Sequence, residues 1–226
     1  SVAYSHMAAT VYNNRAYVIG GLDKQVGIEC QVYTSENNSW LFEFPSLPKG
    51  RFNSVCFVYR DSLYVFGGTD NSSNMNEIVR YDLSTQNSGE WTTIAKVNEA
   101  NQRGGVAFVV EDKVYAGLGE KSNGIRNGFY VSSDSLTKWE LIPSIPAQLG
   151  VISSGVYDEQ KKSFFMIDND GKIWEYNLTT EQWTSRSLWI RMKNYHMFML
   201  DGSIYILGQD IYQKNKFTVY NPIWDN

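Results

Sequence analysis

One short pattern recurs along the chain: a polar or basic residue, then an apolar run with an aromatic residue near its centre, then glycine or a polar residue. Its copies lie at residues 15–21, 62–68, 113–119, 163–168 and 203–208. Their aromatic residues follow one another at intervals of 47, 51, 50 and 40 residues and are Tyr17, Tyr64, Tyr115, Phe165 and Tyr205. A period in this range restricts the fold to solenoids, propellers and other repeat arrays.

Four of these copies form the second half of a predicted β-hairpin. An apolar run precedes each of them, and a dipeptide that tolerates the positive φ of a two-residue turn joins the two halves. These dipeptides are Asn13-Asn14, Arg60-Asp61, Glu111-Asp112 and Asp201-Gly202.

A second pair of strands is predicted after every hairpin. Each of these segments contains a tyrosine in an apolar stretch and then a tryptophan, and the tryptophans are Trp40, Trp91, Trp139, Trp183 and Trp224. No helical periodicity lies between them. Four strands per repeat predict an all-β propeller with one blade per repeat, rather than a solenoid or a sandwich.

The glycine pairs Gly20-Gly21 and Gly67-Gly68, each followed by a tyrosine and then a tryptophan, resemble the kelch repeat. The resemblance covers nearly the whole chain and implies a kelch-type β-propeller of four-stranded antiparallel blades. We expect one domain over residues 1–226 with about five blades, or five blades of a six-bladed ring. The predicted repeats are residues 6–48, 51–97, 102–146, 151–188 and 192–226.

A second, fainter resemblance lies in residues 132–139, which are similar to a degenerate Asp-box turn of sialidase-like propellers. Leu136 and Lys138 depart from that motif. An Asp box is a fold device between the third and fourth strands of a blade, so the resemblance implies no sialidase activity.

Composition narrows the classes of partner. A chain with 15% aromatic and 19% charged residues can bury a core, and its net charge of −4 provides no basic stripe for nucleic acid. Cys30 and Cys56 lack the spacing of metal ligands and are expected to be reduced core thiols. No apolar run approaches the ~18 residues needed to span a bilayer, so membrane insertion is not expected.

A binding site is expected where the longer loops lie. In a propeller blade, the loops from strand two to three and from strand four to the next blade open on one face, while the tight turns lie on the other. Counting back from the aromatic anchors places polar residues near the central axis, and arginine suits a carboxylate, sugar or acidic peptide side chain. The candidate ligand-binding residues are His6, Arg51, Asn53, Arg103, Arg191, Asn194, Tyr195 and His196.

A copper oxidase or a hydrolase with a nucleophilic triad requires residues that this sequence does not arrange, whereas a mutarotase-like isomerase needs only a few polar residues in a central pocket. A copper site similar to that of galactose oxidase needs two histidines with tyrosines and a cysteine, whereas His6 and His196 fall at non-equivalent repeat positions. No Gly-x-Ser-x-Gly elbow or phosphate-binding loop is present. We expect no catalytic residues, cofactor or metal.

The sequence therefore predicts a non-catalytic module that binds a protein or a glycan through its loop face. The alternative is a carbohydrate-active propeller: an isomerase similar to sialic acid mutarotases, a sialidase-like hydrolase or a galactose oxidase-like oxidase. The mixture of kelch and Asp-box features resembles bacterial surface proteins and implies an extracytoplasmic location. Further domains of a longer chain are compatible with the repeat pattern.

Overall fold

The structure is a computed structural model that describes residues 4–41, 44–85, 88–124, 128–133, 135–145, 154–168, 170–189, 192–210 and 212–221. Side chains are described for all of these except residues 187–189 and 193–194.

The described residues form five antiparallel sheets, each made of consecutive strands, as predicted for propeller blades. Blades 1 to 4 have four strands and blade 5 has three. The fourth strand predicted to begin at Trp224 lies outside the described residues. Blade by blade, the strands are β1 Ala8–Tyr12, β2 Arg15–Ile19, β3 Cys30–Thr34 and β4 Ser39–Leu41; β5 Val55–Tyr59, β6 Ser62–Phe66, β7 Glu77–Asp82 and β8 Thr92–Lys96; β9 Val106–Val110, β10 Lys113–Gly117, β11 Phe129–Ser133 and β12 Glu140–Leu141; β13 Gly155–Asp158, β14 Ser163–Ile167, β15 Lys172–Asn177 and β16 Gln182–Trp189; β17 Lys193–Leu200, β18 Ser203–Gln209 and β19 Asn215–Tyr220.

The five aromatic anchors occupy one position of the repeat. Each is the third residue of the second strand of its blade, and in chain order they pair with Thr10, Phe57, Phe108, Val156 and Phe198 of the first strands. The equivalence predicted from sequence spacing is therefore confirmed.

The hairpin turns have the predicted backbone conformation. Both residues of Asn13-Asn14, Arg60-Asp61 and Asp201-Gly202 have positive φ, as does Glu111 of the fourth turn. This conformation matches the right-handed twist of the paired strands.

The glycines that follow the second strands are required by close backbone approach. Gly20 and Gly67 have φ of 64° and 62°, and a Cβ at Gly20 would lie 2.3 Å from the carbonyl oxygen of Arg51 in the next segment. Glycine at both positions therefore lets the chain turn out of the second strand where a Cβ would clash.

The Asp-box-like segment forms the turn between β11 and β12. Leu136 is buried with φ of 57°, and the Ser132 hydroxyl donates to the carbonyl oxygen of Lys138 at 2.6 Å. Asp134 lies outside the described residues. The segment thus lies between third and fourth strands, where the resemblance predicts it.

Blades pack face to face around one axis. The first strands lie side by side, β1 beside β5, β5 beside β9 and β13 beside β17. Aromatic rings fill the wedges between blades: Phe66 contacts Trp139 across blades 2 and 3, and Phe108 stacks on Phe164 across blades 3 and 4 with centroids 4.4 Å apart. Such ring pairs add to the stabilisation that apolar burial provides.

Burial of the second strands differs between the middle and the ends of the blade series. Every residue of β6 and β14 is buried, so blades 2 and 4 are covered on both faces. In β2 and β18 buried residues alternate with partly exposed ones. Side chains of a strand point alternately to opposite faces, so the described residues cover blades 1 and 5 on one face only.

Candidate functional site

The loops open on one face, as expected. Residues just before a first strand pair with residues just after the second strand of the same blade, in the bridges Ser5 with Leu22, Phe52 with Thr69 and Arg103 with Glu120. We call the surface formed by residues 4–7, 20–28, 49–54, 67–76, 101–105 and 118–124 the loop face. The tight turns lie at the other ends of the strands.

Three residues that each lie eleven positions before an aromatic anchor form a backbone chain on the loop face. His6, Asn53 and Gly104 have φ of 58°, 50° and 71°. The Asn53 amide donates to the carbonyl oxygen of His6 at 2.9 Å, and the Gly104 amide donates to that of Asn53 at 2.7 Å. His6 is exposed and its Nδ1 lies 2.9 Å from the Ser5 hydroxyl. The spacing argument therefore places His6 and Asn53 correctly in the repeat.

A central cavity of about 320 Å³ runs between the first strands. Its wall is lined mostly by small residues, and its polar side chains are Ser54, Ser154 and His196. His196 is exposed and also lines a second cavity of about 420 Å³ on the uncovered side of blade 5. Of the two histidines, one therefore lies at the loop-face end of blade 1 and the other lines the channel wall on β17.

Arg51 and Tyr195 lie inside the protein rather than at its mouth. Arg51 is fully buried; it donates to the carbonyl oxygen of Gly67 at 3.2 Å and to the Glu77 carboxylate at 3.5 Å. Burial lowers the pKa of its guanidinium, and Glu77 partly offsets that effect. The Tyr195 hydroxyl donates to the carbonyl oxygen of Ile167. Both side chains hold neighbouring segments together.

Two predicted residues receive no side-chain description. Arg191 lies outside the described residues, and Asn194 lies in β17 without a described side chain.

The loop face carries a polar cleft of about 240 Å³ between blades 2 and 3. Its lining residues are Thr69, Asn71, Ser72, Ser73, Asn74, Arg103, Glu120, Lys121 and Ser122. Arg103 donates from Nε and Nη2 to one Glu120 oxygen at 3.3 and 3.1 Å, yet its side chain remains 47% exposed. The guanidinium is thus fixed in direction and still accessible to a partner.

Hydrogen bonds hold the walls of this cleft in place. The side-chain amide of Asn74 donates to the backbone carbonyl oxygen of Glu120 at 2.9 Å, and this bond joins the loops of two blades. Asp70 accepts from Lys49 at 2.8 Å and from the hydroxyl and backbone of Ser72 and the backbone of Ser73, and these contacts hold the pKa of its carboxyl well below its usual range. A cleft held by its own network loses little conformational entropy on binding.

The sequence predicted a site on the longer loops and included Arg103 among its candidate residues. It did not single out Lys49, Asp70 or Glu120. The signal that could have identified these three residues is their position in polar loops on the same face as Arg103.

The described part of the chain contains no group of three or more His, Cys, Asp or Glu side chains able to hold a metal ion. It also contains no helix long and apolar enough to cross a membrane.

A family model described as the KLHDC2/KLHL20/DRC7 Kelch-repeats domain matches residues 1–155, more than half of the sequence. The chain belongs to the kelch-repeat family. Curated relatives of this kelch chain include Kelch-like protein 36 of Mus musculus, which is 27% identical over 165 residues, 68% of this chain and 26% of the relative. Another is Kelch repeat and BTB domain-containing protein 1 of Ectromelia virus, which is 25% identical over 227 residues, 95% of this chain and 39% of the relative. The kelch chain therefore spans well under half the length of either protein.

A solved structure with the same fold is that of YjhT. It superposes with a TM-score of 0.78 at 16% sequence identity, over 96% of the kelch chain and 84% of YjhT. This likeness confirms the propeller architecture.

Proposed function

We propose that this kelch propeller is a protein-binding module and that the cleft between blades 2 and 3 is its recognition site. The observation that carries the proposal is the pre-formed pair of adjacent loops, tied by Asn74 and Glu120, that presents Arg103 half exposed to solvent. Rigid scaffolds with variable polar loops are a common arrangement for recognition.

The charges of the cleft favour an acidic peptide segment of the partner. Arg103 offers a planar fork to a carboxylate, and Lys121, whose Nζ lies 3.1 Å from the Tyr130 hydroxyl, adds a second cation beside it. Hydroxyl and amide groups of residues 71–74 can accept or donate to the partner backbone.

The experiment compares wild-type protein with Arg103→Glu in affinity capture, with captured proteins quantified by mass spectrometry. Charge reversal should weaken binding of a genuine partner by about tenfold or more, which corresponds to about 1.4 kcal/mol. Lys113→Glu is the matched control, because it makes the same charge change at an exposed site on the turn side of β10.

Proteins captured equally by all three forms would contradict the proposed cleft. A parallel titration with sialic acid and neutral sugars, followed by tryptophan fluorescence and by product analysis, tests the carbohydrate alternative. If a sugar is turned over and the Arg103→Glu variant captures the same proteins as the wild type, the isomerase or hydrolase alternative replaces the protein-binding proposal.

A further inference from the structure

The central cavity and the cleft between blades 2 and 3 lie next to each other on the loop face. The cavity is lined by residues 7–9, 54–56 and 105–107, each of which spans the start of a first strand. Arg103 of the cleft is two residues from Gly105 of the cavity. Consecutive Cα atoms are about 3.8 Å apart, so these two Cα atoms lie within about 8 Å of each other. One extended segment of a partner can therefore occupy both sites.

The wall of the central cavity carries no Asp, Glu, Lys or Arg among its described residues. A charged group that entered would lose its hydration without gaining a counter-ion. The wall also contains two thioethers, those of Met197 and of Met7, which precedes β1 and is 42% exposed. Methionine adapts its shape to a neighbour and contacts aromatic rings favourably. The cavity therefore suits an uncharged side chain with an apolar, aromatic body.

Ser54 supplies the observation that points to a bound group. It lines the cavity and is only 8% exposed, and its hydroxyl oxygen is buried with no hydrogen-bond partner among the described residues. The Ser154 hydroxyl, in contrast, accepts from the backbone N–H of Met197 at 2.8 Å. A buried hydroxyl without a partner is destabilising, so native proteins rarely keep one unless a ligand or a water bonds to it.

We infer that the partner segment whose acidic residue binds Arg103 also inserts a tyrosine side chain into the central cavity, where its phenol bonds to Ser54. This inference rests on the proposed function of the cleft. Tyrosine combines an apolar ring with an uncharged polar tip, which matches the methionines and the hydroxyl of the wall. Phenylalanine would leave the Ser54 hydroxyl unpaired. The volume of about 320 Å³ is at the lower end of the range of ligand pockets.

The backbone chain of the loop face sets the spacing of the two partner residues. His6, Asn53 and Gly104 are joined by successive backbone hydrogen bonds, and they lie between Met7 at one end and Arg103 at the other. Hydrogen-bonded neighbouring segments are about 4.8 Å apart, so His6 and Gly104 are about 10 Å apart. An extended peptide rises about 3.3 Å per residue, so the acidic residue and the tyrosine are expected about two to four positions apart.

The first test selects binders from a displayed library of random linear peptides on immobilised wild-type protein. Peptides that wild type retains and Arg103→Glu loses should carry Asp or Glu with a tyrosine about two to four positions away. Lys113→Glu, on the turn side of β10, is the matched charge control and should retain the same peptides.

The second test is a double-mutant cycle read by fluorescence anisotropy. It measures a selected peptide and its tyrosine-to-phenylalanine form against wild type and Ser54→Ala. The variant should weaken binding of the tyrosine peptide about tenfold and leave that of the phenylalanine peptide within about twofold. Its melting temperature should not fall by more than about 1 °C, because the hydroxyl makes no described bond. Ser35→Ala removes an exposed hydroxyl on the turn side and is the control.

The outcomes separate this inference from the proposed function. If no peptide is enriched, or if Arg103→Glu binds the peptides as tightly as wild type, both the cleft and the tyrosine site are wrong. If the peptides depend on Arg103 but lack a tyrosine, or bind Ser54→Ala as tightly as wild type, only the tyrosine site is overturned. A water would then be the partner of the Ser54 hydroxyl.

Discussion

Gly67 combines a backbone conformation and a close approach that only glycine satisfies without strain. Its φ is 62°, and a Cβ there would lie 2.4 Å from the carbonyl oxygen of Ala100 and 2.7 Å from that of Gln102. Because both neighbours are backbone atoms, neither can move aside cheaply. We expect Gly67→Ala to lower the free energy of unfolding by about 3 kcal/mol, measured by urea denaturation.

Gly124→Ala separates the two causes. Gly124 also has positive φ, 79°, but a Cβ there would meet no atom within 4 Å. This variant should lose only about 1 kcal/mol. Equal losses for the two variants would show that the contact with Ala100 does not matter.

The two arginines of the loop face have different environments although both pair with glutamate. Arg51 is fully buried and bonded to Gly67 and Glu77, whereas Arg103 is about half exposed beside Glu120. Arg51→Leu should cost about 3 kcal/mol, because it leaves a buried carbonyl without its donor. Arg103→Leu should cost less than about 1 kcal/mol, as expected for an exposed ion pair.

Thermal and urea unfolding of both leucine variants measure this difference. A loss at Arg103 as large as that at Arg51 would contradict the assignment of Arg51 as the structural arginine and Arg103 as the accessible one.

These arginines also show how much of the site the sequence predicts. Counting back from the anchors finds the right segments, because strand spacing fixes the backbone position of His6, Arg51 and Asn53. The spacing does not predict the direction in which a side chain points. Arg51 turns inward because Gly67 and Glu77 lie within its reach there, and those partners come from 16 and 26 residues further along the chain.

At the scale of elements, the tryptophan ahead of or within the fourth strand ties each of blades 2, 3 and 4 to the preceding blade. Trp91 packs against Phe44 and Tyr81 and donates to Pro45. Trp91→Phe should lower the free energy of unfolding by about 2 kcal/mol, through the lost hydrogen bond and the smaller ring. In the 226-residue chain, Trp40→Phe should lower it by less than about 0.5 kcal/mol, because Trp40 is exposed and has no described acceptor.

Differential scanning calorimetry of the two tryptophan variants provides the measurement. If Trp40→Phe is as destabilising as Trp91→Phe, the face of blade 1 that carries Trp40 is already covered.

Hairpins were easier to predict from sequence than fourth strands. The first two strands of blades 1, 2 and 3 are largely apolar runs joined by a two-residue turn, so their register with respect to Tyr17, Tyr64 and Tyr115 follows from the letters alone. The fourth strand has only one strand neighbour, and β12 is reduced to Glu140–Leu141. Its ends depend on contacts with the adjacent blade, which no local pattern encodes.

At the scale of the whole molecule, the interface between blades 1 and 2 buries both cysteines. Burial raises the pKa of the Cys30 thiol to about 12 and also raises that of Cys56. In the unfolded chain both thiols ionise near a pKa of about 8.5. The folded state therefore holds its thiol protons where the unfolded state has lost them, and stability should be complete below about pH 8.5 and fall as the pH rises.

The expected loss is about 1.4 kcal/mol per thiol at one pH unit above the unfolded pKa. Urea unfolding at about pH 7, 8.5 and 9.5 measures the slope, and a Cys30→Ala, Cys56→Ala variant is the control. The variant should start from a lower stability, because two buried side chains are truncated, but its stability should be nearly independent of pH over this range. Burial also raises the pKa of Tyr176 to about 12. Its ionisation in the unfolded state lowers the stability of both proteins only above about pH 10. An identical slope in wild type and variant would mean that the thiols are not protected by the packing of blade 1 on blade 2, and that the interface on which the propeller depends opens readily.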